Sequence, residues 1–287
     1  MKIGFIGYGE AARYIAEGLQ ENGLAREDLY GWSRSIASAD PAALNVTRAA
    51  SREELFQLCK VVICITPASA SVSVARECKP FMTPDHIYVD VSSSSPKVMQ
   101  EVWSIIRDTG VQFADGALLD TVPKYRHRVP TVLAGNGAQA AFDALAPYGW
   151  NVEVVGTEPG SACAIKMLRS VYTKSLLGIC FEMLEAAAHY GVADYIMQSL
   201  AKTMDEKDFL SGMNGRTCGG IIHAGRRAEE LLMAADMLAE DGLSADVSRA
   251  SAKKLQQIAA LDLKHTLGSY RPKTWDEAIR CVMDARK

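Results

Sequence analysis

The sequence predicts an α/β fold: an N-terminal Rossmann-type doubly wound sheet followed by an all-helical C-terminal domain. Three observations carry that expectation. The chain opens on a short apolar run that ends in Gly7-Tyr8-Gly9-Glu10-Ala11-Ala12, a G-x-G-x-x-A turn that passes directly into helical spacing from Arg13 to Leu19. Up to about residue 157, short β-rich runs alternate with amphipathic stretches, as in a parallel sheet wrapped by helices. Beyond Pro159 the strand signal ends and long helical patterns take over. The domains are accordingly drawn at 1–158 and 159–287.

In chain order, strands are expected at 2–6, 29–32, 61–65, 87–91, 111–116, 131–134 and 152–155. Helices are expected between them at 51–58, 70–79 and 96–109, the last opening on Pro96 behind a run of serines. In the second half, 161–190 reads as one long, largely apolar helix, followed by helical patterns at 195–204, 223–239 and 244–260. There is no internal repeat, low-complexity tract or Pro/Gly linker, so the long helix is expected to join the two halves. Long apolar helices in the second half make a homodimer the expected assembly.

Composition excludes several function classes. Hydrophobic residues make up 48% and charged residues 23% of the chain, the balance of an ordinary globular protein. A net charge of −3 gives no electrostatic reason to expect nucleic acid or an anionic membrane as partner. No apolar stretch approaches the ~20 residues that span a bilayer, and the opening apolar run is consumed by the first strand. Seven cysteines without a C-x-x-C pair argue against a disulfide framework and against a structural metal site, and point to reducing cytoplasm.

The opening turn has the parts of a dinucleotide site. Gly7 permits the tight turn, Gly9 leaves room for a pyrophosphate to approach the backbone, and Ala12 lets helix and strand pack closely. Tyr8, Glu10 and Ala11 complete the turn, whose helix N-terminus offers free N–H groups to phosphate. The second strand ends in Ser33-Arg34-Ser35, while the nearby acids Glu27 and Asp28 precede that strand and lie at its wrong end. Arg34 suits a 2′-phosphate and the serines add hydrogen bonds, so NADP is favoured over NAD, which stays possible. The nicotinamide is expected near Thr66 and Pro67, after the 61–65 strand.

Three further segments bear on chemistry. In Asp90-Val91-Ser92-Ser93-Ser94-Ser95-Pro96 one serine suffices for a helix cap; Ser92 and Ser93 are then available to bind a substrate. In Asp115-Gly116-Ala117-Leu118 small residues leave room for a ligand or simply turn the chain. Gly156 to Gly160 lead into the long helix that carries Lys166.

In this order and at these spacings the segments resemble the β-hydroxyacid dehydrogenase family, related to 6-phosphogluconate dehydrogenase, and in particular a divergent branch that includes D-apionate oxidoisomerase-like proteins. The nucleotide turn and the Asp90-to-Pro96 segment match the family pattern well. In the substrate loop Asp115 and Gly116 match, whereas the family's paired glycines are absent. Lys166 stands at the family's lysine, and Arg169 and Ser170 replace the asparagines that follow it. The resemblance implies an NADP-dependent oxidoreductase that moves a hydride between nicotinamide and a small hydroxy acid or sugar acid, or its oxo acid. It gives Lys166 the part of general acid and base, and partial burial between domains would lower its pKa towards neutrality.

Helix geometry adds the neighbours. Ser170 lies one turn beyond Lys166 on nearly the same face, and Lys174 lies roughly 12 Å further along the axis. Both lysines therefore cannot touch one reacting carbon, and Arg169 or Lys174 is left to anchor a distal carboxylate. His223, Arg226 and Glu230 share a helix face; such clusters are usually solvated ion pairs, and otherwise His223 lines a substrate cleft. The basic run 124–128 is expected to be a solvated loop. Two other activities fit the same layout: an imine or pyrroline-carboxylate-like reductase, and a nucleotide-sensing protein without chemistry.

Overall fold

The computed structural model describes residues 1–36 and 44–287. Contacts divide the chain into two compact units, Met1–Val171 and Tyr172–Lys287. In the first unit the expected strands form at Ile3–Ile6 (β1), Leu29–Trp32 (β2), Val61–Cys64 (β4), Ile87–Asp90 (β5), Gln112–Leu118 (β6), Thr131–Ala134 (β7) and Val152–Gly156 (β8). A two-residue strand, Thr47–Arg48 (β3), was not anticipated. Among the described residues these form one sheet in the order β3-β2-β1-β4-β5-β6-β7-β8. Every neighbouring pair is parallel except β6 with β7.

The strand pleat explains the double winding. Ile3, Phe5, Val61, Ile63, Ile87 and Val89 point to one face and pack on Ala12, Ile15 and Leu19 of helix α1 (Glu10–Glu21) and on Ala141 and Leu145 of α6 (Ala138–Leu145). Ile6, Val62, Cys64, Tyr88 and Phe113 point to the other. There they meet Leu55 and Phe56 of α2 (Arg52–Leu58), Val74 and Cys78 of α3 (Ser71–Cys78), and Met99 and Val102 of α4 (Pro96–Ile106). A strand buried on both faces is apolar at every position, as Val61-Val62-Ile63-Cys64 is.

The basic run at 124–128 is not a solvated loop. It belongs to a short helix, Val122–Tyr125 (α5), and the single turn that follows. Arg126 pairs with Glu17 at 3.4 Å and Glu21 at 2.7 Å, both on α1. His127 is buried, and its Nε2 lies 2.9 Å from the Asn22 amide. The reason is local: α1 presents two acids and a glycine, Gly18, to this segment.

Helix α7 spans Ser161–His189, close to its expected limits. The second unit continues with α8 (Ala193–Asp205), α9 (Phe209–Glu240), α10 (Asp246–Ala259), α11 (Leu263–Thr266) and α12 (Trp275–Asp284). Its core is made of Ile221, Ile222, Leu263, Ala278 and Val282, with a second cluster around Ala235 and Leu238. Glu182 accepts hydrogen bonds from the Val247 and Ser248 amides at 2.8 and 2.9 Å, fixing the start of α10. Helix α9 leaves helical geometry at His223 (φ −113°, ψ 19°). Among the described residues no helix is long and apolar enough to cross a membrane.

Candidate functional site

From β1 the chain runs outward to β2 and β3, then returns to the other side of β1 as β4. Ligands of doubly wound sheets bind at such a reversal, beyond the carboxyl ends of the strands. A cleft of about 650 Å³ opens there. Its walls come from the segments after β1 (Gly7, Tyr8, Gly9), β2 (Ser33, Arg34, Ser35) and β4 (Thr66, Pro67).

The turn after β1 is built as its glycines demand. Gly7 sits at φ +86°, and a Cβ there would lie 2.5 Å from the Ile65 carbonyl oxygen. Gly9 is the N-cap of α1 and makes no side-chain cap, while a Cβ on it would meet nothing within 4 Å. The first N–H groups of α1 therefore face open space, which is the cradle a pyrophosphate needs. Ala12 is buried against the strands, Glu10 is exposed and Ala11 is half-buried. Tyr8 turns its ring into the core, edge-on to Phe5, and its hydroxyl bonds to Asn45. Its contribution to the cleft comes from the segment it belongs to rather than from a free phenol; burial pushes that phenol's pKa up.

At the end of the cleft beyond β2 Arg34 and Ser35 are exposed, and the Ser33 and Ser35 hydroxyls lie 2.9 Å apart. Sequence reasoning missed Arg52. Its guanidinium stacks 3.8 Å over the Trp32 ring and pairs with Glu77 at 2.6 Å, and all three line the cleft. Arg52 stands alone in the sequence, so no spacing pattern marks it. Two guanidiniums flanking one wall suit a phosphorylated ribose and a stacked base.

Behind Thr66 of the cleft wall stands a group of hydroxyls. Ser92 is buried, and its Oγ accepts a hydrogen bond from the Thr66 amide at 3.1 Å. Asp90, wholly buried at the end of β5, accepts from the Ser92 amide at 2.9 Å. Burial pushes the Asp90 carboxyl up to about 6, against the pull of the Ser92 and Ser71 hydroxyls. Its Oδ2 has no hydrogen-bond partner among the described residues. Ser93 is held at φ +55°, a left-handed conformation that costs a side-chain-bearing residue energy and concentrates at ligand sites. There its Oγ accepts a hydrogen bond from Lys166 Nζ at 2.5 Å. Thr66, Ser92, Ser93 and Lys166 are thus brought together.

The other expected residues are placed as follows. Gly116 and Ala117 lie within β6, which runs two residues past its expected end, and both are buried; a Cβ on Gly116 would meet Val91 at 2.6 Å. On α7, Arg169 is exposed and Ser170 half-buried within the first unit. Lys174 is exposed and belongs to the second unit. His223 stands at the break in α9, beside a cleft of about 290 Å³ that Arg226, Asp262 and Lys264 also line. Arg226 bonds to Glu230, the ion pair expected on that face.

Residues 2–148 match the family described as the NAD binding domain of 6-phosphogluconate dehydrogenase. The chain belongs to that family. Residues 187–258 match a second family, a domain of unknown function designated DUF1932. Among solved structures the chain is similar to conserved protein MTH1747, of unknown function and described as structurally similar to 3-hydroxyacid dehydrogenases. The two are 31% identical, with 91% of this chain and 98% of that one covered and a TM-score of 0.62. A conserved hypothetical protein from Sinorhizobium meliloti 1021 is 27% identical over 99% of this chain and 96% of its own, with a TM-score of 0.63. An imine reductase from Aspergillus terreus, in complex with NADPH4 and dibenz[c,e]azepine, has a TM-score of 0.75. It covers 90% of this chain and 93% of that one at 15% identity, a likeness of fold alone. The chain is an NAD(P)-binding protein of the hydroxyacid dehydrogenase-like group.

Proposed function

We propose that this protein is an NADP-dependent oxidoreductase acting on a small hydroxy acid or sugar acid, or reducing the corresponding oxo acid. The observation that carries the reading is the 2.5 Å contact from Lys166 Nζ to Ser93 Oγ, one residue from the serine that bonds to the cleft wall at Thr66. Bound NADP would supply the hydride acceptor, and reduced NADP the donor. The turn at Gly7–Gly9 and the N-terminus of α1 hold the pyrophosphate, and Arg34 with Ser33 and Ser35 hold the 2′-phosphate. Ser92 and Ser93 bind the substrate's oxygen atoms, and Arg169 meets its carboxylate. Lys166 as the amine takes the hydroxyl proton during oxidation, and as the ammonium returns it during reduction. The half-buried position of Lys166 supports a proton carrier that is reachable from the cleft yet partly shielded from water. Seven cysteines with no disulfide among them support a cytoplasmic location, and the exposed apolar helices of the second unit support a homodimer.

The test is coenzyme reduction screened across hydroxy and sugar acids, with NADP⁺ and NAD⁺ in parallel and cyclic imines with NADPH as a separate arm. Lys166→Ala is expected to lower kcat on the best acid at least 100-fold, the scale of general acid–base catalysis, while the Kd for NADPH changes less than about twofold. A variant as active as the wild type removes Lys166 from the chemistry. Turnover of imines alone assigns the protein to imine reduction, and no turnover with any substrate leaves a nucleotide-binding protein.

A further inference from the structure

Asp115 is a carboxylate buried inside β6 with an unusual set of donors. Its Oδ2 accepts from the backbone N–H groups of Gly160 (2.8 Å), Ala162 (3.1 Å) and Cys163 (3.3 Å), and its Oδ1 accepts from the Cys163 thiol at 2.9 Å. These amides are the start of α7, whose first-turn N–H groups have no partner within the helix. A helix is ordinarily capped by the residue that precedes it; here the cap reaches across from a strand 45 residues earlier. Gly160, at φ +101° with its Cβ position 2.9 Å from the Pro96 carbonyl oxygen, fixes the approach. Burial raises the Asp115 carboxyl, and the four donors pull it back towards the anion.

Lys166 follows Cys163 by three residues, about 4.5 Å along the helix axis and one turn on. On the facing side, Asp90 is the register partner of Asp115 across β5 and β6 and holds the Ser92 amide. Two adjacent buried carboxyls thus stand behind the two partners of the Lys166–Ser93 contact, one behind the helix and one behind the turn. We propose that Asp115 is a positioning residue for Lys166: by capping α7 from the sheet it sets where the amine stands against Ser93. The inference rests on the reading of Lys166 as proton carrier. Asp115 also compensates the positive end of α7, so its charge favours the ammonium form of Lys166.

The test reads Lys166 itself. Competitive acetylation with acetic anhydride across pH, followed by mass spectrometry of the Lys166 peptide, gives the midpoint of the amine in the full-length protein. Lys253 and Lys254 on α10 serve as internal references. Asp115→Asn keeps the shape and removes the charge; Asp90 and Cys163, which feel that charge, shift towards their ionised forms, so the Lys166 midpoint is read on the lysine itself rather than from a pH profile of activity. It is expected to lower the Lys166 midpoint by about 0.3 to 1 pH unit and to lower kcat on the best acid of the screen about 10-fold, with NADPH affinity as in the wild type. A lysine midpoint and kcat equal to the wild type would overturn the proposal. Asp115→Glu keeps the charge but lengthens the cap by one methylene; it is expected to lower kcat with the midpoint retained, and it decides the matter if the asparagine variant does not fold. An unchanged kcat in that variant is a second overturning result. Full activity in Lys166→Ala refutes the lysine mechanism, whereas loss in Lys166→Ala with none in the Asp115 variants refutes only the positioning role.

Discussion

Asp90 differs from Asp115 in how its charge is met. Asp115 receives four donors, whereas Asp90 receives the Ser92 amide on one oxygen and has no partner on the other among the described residues. Burial therefore dominates at Asp90 and raises its carboxyl from 3.8 to about 6. A carboxyl whose folded-state pKa exceeds its unfolded value binds more protons in the native state, so its contribution is fully present below the unfolded value and is lost as pH rises through the folded one. The window runs from about 4 to about 6. Asp90→Asn, which does not titrate, is expected to gain about 2 kcal/mol on the wild type between pH 4 and pH 7, at about 1.4 kcal/mol per unit. Urea unfolding of both proteins at the two pH values measures it, with the remote carboxyls titrating alike in each and Asp115, the register partner of Asp90, sharing in the change. A difference between the proteins that does not change with pH would show that Asp90 carries its charge without penalty.

Helix α1 serves the cleft with its N-terminus, packs Ala12, Ile15 and Leu19 on the sheet and sets Gly18 against the 122–128 segment. A Cβ on Gly18 would lie 1.9 Å from His127 Nδ1, so this close approach of α1 to the 122–128 segment requires a glycine mid-helix, where alanine has the better propensity. Gly18→Ala is expected to destabilise the protein by about 1–3 kcal/mol, as overpacking does. His127→Ala in the same chain should recover part of that loss. Thermal unfolding of the two single variants and the double variant closes the cycle, and additive effects would mean that the histidine moves aside freely. The sequence showed none of this, because a glycine in a helix and a histidine in a basic run carry no mark of their contact. What was legible followed from periodicity: strand pleat, the glycine turn, and α7 nearly to its ends. The first half of α9 was not, since Gly212, Gly215, Gly219 and Gly220 dilute both helix propensity and apolar spacing. Of the candidate site, the glycine turn, Arg34, Ser93 and Lys166 could be read from motif and resemblance. Arg52 and the cap by Asp115 depend on which strand ends lie side by side, and only the folded sheet determines that.

At the scale of the whole molecule, the second unit has apolar surface that its own packing does not use. Helix α8 has no buried residue although its sequence is amphipathic. Leu177 and Phe181 on α7, Tyr195 and Leu200 on α8, and Phe209 and Leu210 on α9 are all exposed, from 38% to 75%. An amphipathic helix acquires most of its stability from burying its apolar face, and exposed contiguous apolar surface marks an interaction site. A second copy of the chain would supply a matching apolar face, and a symmetric pairing would close on itself without leaving surface for further growth. Light scattering after gel filtration is expected to give twice the chain mass at about 10 μM, within the range where obligate homodimers persist. Leu177→Glu combined with Phe181→Glu is expected to shift the protein towards single chains and lower its Tm, since a buried unpaired carboxylate on each side of an interface is costly. Lys253→Glu, an exposed change on α10, controls for charge alone and should leave the mass unaltered. If the wild type ran as a single chain at every concentration, the apolar faces of α7 and α8 would need another occupant.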